Sequence, residues 1–403
     1  MTTARRYRHH DPKLLAVATV FFIGLFLPNS SLPLIIGYLA AAFAYTTILL
    51  YTLTCDTTIT FPRWLLILTI PLIVGCYHVA SNPTLGMLVR TLAFVSLAFI
   101  NITYLPQVLP ERYFYSVFAR LAAVVVCIGL LPITGLPTTG VGFDLSLWDG
   151  QPSLLGVQFH PITSIFDNPN SLGFVALIGT ICAAAERRLY QTQISLGLFG
   201  VSLFGLAASY YRTGWIALAA VAVLWIAYSV RGRVFVVCLT LLGGIAALVG
   251  LAITFKLLPG PEVLQSHDLG NRRVLWLAGV AVFEQRPVLG SGWGMAQPLI
   301  QPYFTGFEGY GVHNSFLRLF IETGLVGGGA YLLFHVLAAT QAARFVTDER
   351  SVFLLGFVVA AVGTQMFAGF TLFGLSMRSA IVSLTIGYAL RNTVSASNQE
   401  LGA

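Results

Sequence analysis

The sequence predicts an all-α integral membrane protein of about twelve transmembrane helices, and three observations predict it. Of 403 residues, 57% are hydrophobic and only 9% charged, against about 25% charged in a soluble domain. Apolar runs recur that approach the roughly 20 residues a bilayer-spanning helix needs. Basic residues gather in alternate connections between those runs, the bias that cytoplasmic loops carry. The net charge of +7 is therefore read as largely topological, and no nucleic-acid partner is expected. Cys55, Cys76, Cys127, Cys182 and Cys238 are scattered and form no C-x-x-C pair, so neither a zinc site nor a disulfide framework is expected.

Taken in order, the apolar runs are 14–27, 33–53, 64–80, 85–105, 114–131 and 171–185. They continue with 194–208, 215–228, 234–255, 316–342, 352–373 and 375–389. The basic start leads straight into these spans, which predicts no cleavable signal peptide. With the N-terminus inside, Arg5, Arg6, Arg8, Lys13, Arg63, Arg112, Arg187, Arg188, Arg231, Arg233, Arg344, Arg350 and Arg391 face the cytoplasm. Short outer connections then keep only Arg212 and Arg378. The orientation is read as both termini cytoplasmic. The chain 1–403 reads as one polytopic membrane domain with two long outer loops, 132–169 and 256–315. Both are rich in Gly, Pro and aromatics, which argues for ordered segments lying along the membrane. Arg90 and Arg120 fall inside apolar spans, where they either find partners in the bundle or mark shifted boundaries.

Loop 256–315 concentrates the polar chemistry. Arg272 and Arg273 open the apolar run 274–283, which is too short to span and reads as an interfacial or re-entrant helix. Arginines at a helix start oppose its dipole, and a bound anion would remove the conflict. Contact with lipid phosphate without catalysis is the plainer alternative. Gly290-Ser291-Gly292-Trp293-Gly294 then turns the chain; it is a weak candidate to cradle phosphate, and Trp293 is a candidate substrate contact. His313-Asn314 precedes a helix start at which Asn314 or Ser315 is the N-cap. A histidine there is biased toward neutral imidazole, which can accept a proton, although a lone histidine is more often structural. Arg318 and Glu322 are spaced for an i,i+4 ion pair. His160 and His267 lack metal-ligand spacing, and no metal or other cofactor is expected. His78 and His335 read as satisfied within the bundle.

Elsewhere, Arg212 sits in the outer turn Ser209-Tyr210-Tyr211-Arg212-Thr213-Gly214, where the topological bias disfavours it. It either snorkels to headgroups between interfacial tyrosines or offers phosphate its fork of donors. Loop 132–169 ends in Phe166-Asp167-Asn168-Pro169-Asn170-Ser171. There Asn170 or Ser171 is expected to cap the next helix, with Asp167, Asn168 and Asn170 as candidate sugar contacts. Arg378 is a further candidate for an anion.

Taken together these motifs resemble the O-antigen ligase and polymerase family of membrane glycosyltransferases. The resemblance rests on Phe166-Asp167-Asn168-Pro169-Asn170 and on Tyr211-Arg212-Thr213-Gly214-Trp215. It continues through Arg272 with Leu275-Trp276 and through Pro287-Val288-Leu289-Gly290-Ser291-Gly292-Trp293-Gly294. It ends with His313-Asn314-Ser315-Phe316 and Glu322-Thr323-Gly324-Leu325-Val326-Gly327. Their order and spacing are more specific than any one of them, and the resemblance is strongest over 168–329.

The resemblance implies a glycosyltransferase-C-like fold, with short amphipathic or re-entrant helices in the long outer loop. It implies a metal-independent enzyme of the cytoplasmic membrane, acting at its outer, periplasmic face. Such an enzyme takes a glycan from a polyprenyl-diphosphate carrier and moves it to an acceptor glycolipid or growing glycan. Arg212 and Arg272 would hold the diphosphate and His313 would serve the acceptor hydroxyl. Two departures qualify this. The family usually has serine directly before the first arginine, whereas Tyr210 and Tyr211 intervene here; and the second arginine is doubled, so Arg273 competes with Arg272. The chemistry agrees with the resemblance, since arginines can stabilise a departing diphosphate and neutral histidine can take a hydroxyl proton. O-antigen ligase is the first expectation and repeat-unit polymerase the second. A transporter or flippase for a lipid-linked glycan is the alternative of another class, but no internal repeat supports it.

Overall fold

A computed structural model describes residues 11–54, 59–61, 63–81, 83–134, 145, 147–150, 153–154, 157–254, 258–262, 272–303, 309–374 and 376–401. Arg5, Arg6, Arg8, Cys55, His267 and Asn271 lie outside the described residues. The protein is largely helical, and each of the twelve apolar runs contains helix, although run 352–373 outlasts its helix, which ends at Met366. Among the described residues, eight helices are long and apolar enough to cross a membrane. The expected count of about twelve is not reproduced as twelve separate spans. Two runs merge into one long helix, 194–208 forms a shorter apolar helix of its own, and the helices over 171–185 and 375–389 are not among the eight.

The chain divides into two compact units. The first comprises Met1–Thr60, Phe99–Leu218 and Leu375–Tyr388. It holds α1 (Pro12–Phe26), α2 (Leu34–Thr52), a wide-turned helical stretch Phe99–Tyr104 and the short α5 (Leu105–Val108). It continues with α6 (Glu111–Ile128), α7 (Pro169–Tyr190), α8 (Ile194–Ala208), the start of α9 (Arg212–Thr254) and much of α14 (Met377–Leu401). Small residues let these helices approach closely, as in membrane bundles generally. A Cβ on Gly179 of α7 would come 2.4 Å from Ala122 Cβ of α6. Between α6 and α7, Arg120 pairs with Glu186 at 3.0 Å, and Ser195 Oγ donates to the same carboxylate at 2.7 Å. Arg120 is thus a partnered bundle residue, on a helix that starts three residues before the run 114–131.

The described part of loop 132–169 packs on this unit. It contains a two-residue hairpin, β1 (Ser153–Leu154) with β2 (Val157–Gln158), and Trp148 N–H donates to Pro161 O at 2.9 Å. Ile162 N–H donates to Ala208 O at 3.1 Å, and Phe166 is buried.

The second unit comprises Phe61–Ala98, Ala219–Gly374 and Ala389–Ala403. It holds α3 (Thr69–Ser81), α4 (Leu85–Ala98), the rest of α9, α10 (Arg272–Gln285), α11 (Ala296–Ile300), α12 (Ser315–Arg344) and α13 (Glu349–Met366). Helix α9 breaks at Gly232 (φ 69°), between Arg231 and Arg233, where the charge pattern separates two runs.

Helix α12 breaks at Gly324 (φ 64°, ψ −165°), a left-handed geometry that glycine adopts freely. The backbone groups orphaned by a helix break need partners, and the segment after α10 supplies them. Ser291 and Gly292 N–H groups donate to Ile321 O and Glu322 O at 2.9 and 2.8 Å. In return, Leu325 and Val326 N–H groups donate to Pro287 O and Val288 O at 2.7 and 3.2 Å.

Candidate functional site

Helix α10 realises the short apolar run as an amphipathic element that does not span. Leu275, Trp276, Ala278, Gly279 and Val282 face inward, while Val274 and Leu277 are exposed. Leu275, Trp276 and Val282 pack with Val312 and Ile321, and Phe367 flanks the same cluster. Gly279 lets α12 close in, since a Cβ there would lie 2.9 Å from Leu317 Cδ2. Arg272 is the first residue of α10, three and four positions before Leu275 and Trp276, so it continues their inward stripe. Its guanidinium carbon lies 6.0 Å from the Phe367 ring centroid, and Arg273 stands one position further round the helix.

His313 sits just before α12 with φ +50°. A non-glycine residue in that region stores strain, the kind of outlier that gathers at functional sites. Its ring makes an edge contact with Tyr310 at 5.8 Å between centroids. Asn314 is the N-cap, its side chain accepting from Leu317 N–H at 3.0 Å. Ser315 is not the cap. Its hydroxyl donates to Ala368 O at 2.7 Å and also contacts Phe370 O. Arg318 donates from Nη1 to Gly369 O at 2.8 Å and from Nε to Glu322 at 2.9 Å. A Cβ on Gly369 would lie 3.7 Å from His313 N. Segment 367–370 therefore meets Arg272 on one side and the His313 turn on the other.

The glycine turn does a different job from cradling phosphate through its first residues, because Gly290, Ser291 and Gly292 spend their N–H groups on protein carbonyls. Trp293 is 1% exposed. A Cβ on Gly75 of α3 would collide with its Nε1, and Phe94 and Phe373 make edge contacts with its ring. Its side chain is a packing wedge and not an open substrate contact. His78 donates to or accepts from its surroundings at the same turn, its Nε2 lying 2.8 Å from Leu289 O. With a carbonyl as partner, that nitrogen carries the proton. His335 is likewise satisfied, between Tyr331 O and the Gln365 amide.

In the first unit, Arg212 is the first residue of α9 and is exposed. Its Nη2 donates to the Tyr210 hydroxyl at 2.8 Å, and its guanidinium lies 4.7 Å from that ring's centroid. Tyr210 has φ +54°. Tyr211 is buried against α7, where a Cβ on Gly173 would meet its Cβ at 2.2 Å. The cap of α7 is Asn168, whose side chain accepts from Asn170 N–H at 2.7 Å, and not Asn170 or Ser171 as the sequence suggested. Ser171 instead accepts from Arg378 Nη2 at 2.8 Å. Partial desolvation raises the Asp167 carboxyl above its ordinary pKa, against the opposing attraction of the Arg378 guanidinium.

Sequence reasoning missed two participants. Segment 367–370 carries no chemical motif, and its carbonyls matter only because Ser315 and Arg318 reach them. Arg318 was visible as half of an ion pair, but its second bond joins residues 51 apart in sequence. Among the described residues, no group of three His, Cys, Asp or Glu side chains is arranged to hold a metal ion.

A scan of protein-family models matches residues 197–332 to O-antigen ligase. A search of curated proteins gives no match. The matched segment contains Arg212, Arg272, the glycine turn, His313 and the break at Gly324.

Proposed function

We propose that the chain, whose residues 197–332 match the O-antigen ligase family model, moves a glycan from a polyprenyl-diphosphate carrier to an acceptor sugar. It is a membrane protein of the ligase or polymerase type, and we take the ligase reaction, transfer to lipid A-core, as the first reading. The observation that carries the mechanism is the approach of Arg272 and His313 to the same segment, 367–370, from two different elements.

In the proposed reaction the acceptor hydroxyl oxygen bonds to the anomeric carbon as the bond from that carbon to the carrier phosphate oxygen breaks. The electron pair leaves with the diphosphate, whose growing charge Arg272 stabilises. Neutral His313 takes the hydroxyl proton. Asn314, by capping α12, fixes the backbone from which His313 projects. Arg273 is kept as a second contact to the donor. Arg212 is assigned to the diphosphate by the family resemblance. Asp167 and Arg378, which interact at the start of α7, are assigned to sugar hydroxyls and anionic groups, while Asn168 and Asn170 shape that helix start. The reaction is placed at the outer face of the cytoplasmic membrane, with both termini inside, on the distribution of arginines.

The test is glycan transfer by purified protein supplied with a polyprenyl-diphosphate glycan. His313→Ala, Arg272→Ala and Arg212→Ala are each expected to lose about 10²-fold or more in rate; full activity in the His313 and Arg272 variants would sink the mechanism. Arg212→Lys is expected to remain impaired, because an ammonium cannot reproduce the guanidinium fork. Activity is expected to persist in EDTA, and loss with rescue by a divalent ion would refute metal independence. Offering lipid A-core and a second lipid-linked repeat unit as competing acceptors separates ligase from polymerase. Movement of the lipid-linked glycan across vesicles without transfer would favour the transporter.

A further inference from the structure

Arg90 has no role in the chemistry above, yet its surroundings are unusual for a cation. It lies on α4, five residues after Leu85 and so about 7.5 Å along the helix from its start. Leu85, Leu88, Val89 and Leu92 around it are all exposed large apolar side chains, as on a surface that faces lipid. Arg90 is itself exposed. Ion pairs in the structure join Arg120 to Glu186 and Arg318 to Glu322; among the described residues Arg90 has neither a carboxylate nor a hydrogen-bond partner. A charged side chain among lipid-facing apolar ones is costly unless it finds a partner. Something of opposite charge would relieve that cost.

What Arg90 touches is the far end of the glycine turn. A Cβ on Gly294 would come 1.8 Å from Arg90 Nη1, so only a glycine there lets the guanidinium lie on the backbone. Gly292 and Gly294 have φ of +98° and +76°, which alternates the backbone in the manner that forms anion-binding nests. The turn's first three N–H groups are already spent, and Trp293 is buried; the half-buried Gly294 N–H donates to no protein acceptor among the described residues. His78 steadies this turn through Leu289 O. The fork of guanidinium donors on a helix lined by exposed apolar side chains thus lies against the half-buried Gly294 backbone. That donor set matches the oxygens of a phosphate.

We propose that Arg90 with the Gly294 backbone N–H forms a notch that binds the phosphate of a membrane lipid, and that it does so independently of glycan transfer. The lipid is either a phospholipid headgroup or a lipid-linked diphosphate, which present the same chemistry here.

Full-length protein in detergent, tested by native mass spectrometry, separates these sources. Phosphatidylglycerol, undecaprenyl diphosphate and a phosphate-free glucosyl diacylglycerol serve as probes. Wild type is expected to retain at least one phosphate lipid about tenfold more tightly than Arg90→Ala, as for one lost charge-assisted contact. Arg90→Lys is expected to fall between them, and the phosphate-free lipid to bind all variants alike. Discrimination confined to phosphatidylglycerol assigns a headgroup site, and discrimination confined to undecaprenyl diphosphate assigns a carrier site. Equal retention of both phosphate lipids by wild type and variant overturns the proposal. Should Arg90→Ala fail to elute as a folded species, Arg90→Gln carries the same comparison. Because binding is read without turnover, its failure is distinguishable from failure of the transferase reading.

Discussion

Arg318 Nη1 donates to Gly369 O at 2.8 Å while Arg318 Nε holds Glu322 at 2.9 Å. One side chain therefore ties the first turns of α12 to the segment that follows α13, beside the backbone of His313. The Glu322 side chain is 1% exposed, so its carboxylate depends on this guanidinium. Replacing Arg318 by Met is expected to destabilise the protein by about 3 kcal/mol, the usual result of stranding a buried charge. Arg318→Lys keeps the charge but not both bonds, and transfer is expected to fall more than stability does. Thermal unfolding in detergent alongside transfer rates checks this; a variant with unchanged unfolding and unchanged rate would show that the tie has no consequence.

His313 allows strain and chemistry to be separated. Its φ of +50° is costly for any residue with a Cβ, by about 1–2 kcal/mol, and costless for glycine. His313→Gly is thus expected to be at least as stable as His313→Ala, although glycine is the more flexible residue in the unfolded chain. Both are expected to be inactive. A His313→Gly variant clearly less stable than His313→Ala would contradict the left-handed geometry.

Gly324 is expected to tolerate nothing larger. A Cβ there would come 2.2 Å from Val288 O, and its positive φ adds strain, so Gly324→Ala is expected to cost roughly 2 kcal/mol or more. Because the same contacts hold the turn after α10, the variant is also expected to lose transfer. Unfolding midpoints measured against Gly329→Ala, a site with nothing within 4 Å, provide the control.

Arg120 and Glu186 should respond asymmetrically. The Arg120 side chain is 40% exposed and that of Glu186 5% exposed. Arg120→Met strands the carboxylate with only Ser195, whereas Glu186→Gln leaves a guanidinium that can still reach water. The first is expected to be the more destabilising, with losses on the order of 1–3 kcal/mol. A double-mutant cycle by thermal unfolding measures the coupling, and equal single losses would reject the asymmetry.

The helical character of the apolar runs was legible because lipid imposes a simple rule: backbone groups must bond within their own helix; the count of spans was not, since two runs merge and run 352–373 leaves its helix at Met366. The break in α9 was legible for a similar local reason, since Gly232 lies between two arginines that demand an interface. The character of α10 followed from the length of its run, and a cap before α12 followed from Asn314 and Ser315. Between those two cap candidates, and between Asn168 and its neighbours at α7, local chemistry is degenerate. The competing hydroxyls of Ser315 and Ser171 were claimed by Phe367–Phe370 carbonyls and by Arg378, partners distant in sequence.

The sequence by itself determined long apolar helices suited to a membrane and a resemblance over residues 197–332 to the O-antigen ligase family. Only the tertiary structure decided that Gly324 breaks α12, that residues 287–292 satisfy the break, and that Trp293 is a wedge. It likewise placed Arg272 against Phe367 and Arg90 against Gly294. The physical reason is one of range. Helix formation is governed by neighbours within four residues, whereas a broken helix, a bound guanidinium or a strained histidine is held by groups brought together from far along the chain. Such partners carry no mark in the sequence until the fold has placed them within a few ångströms.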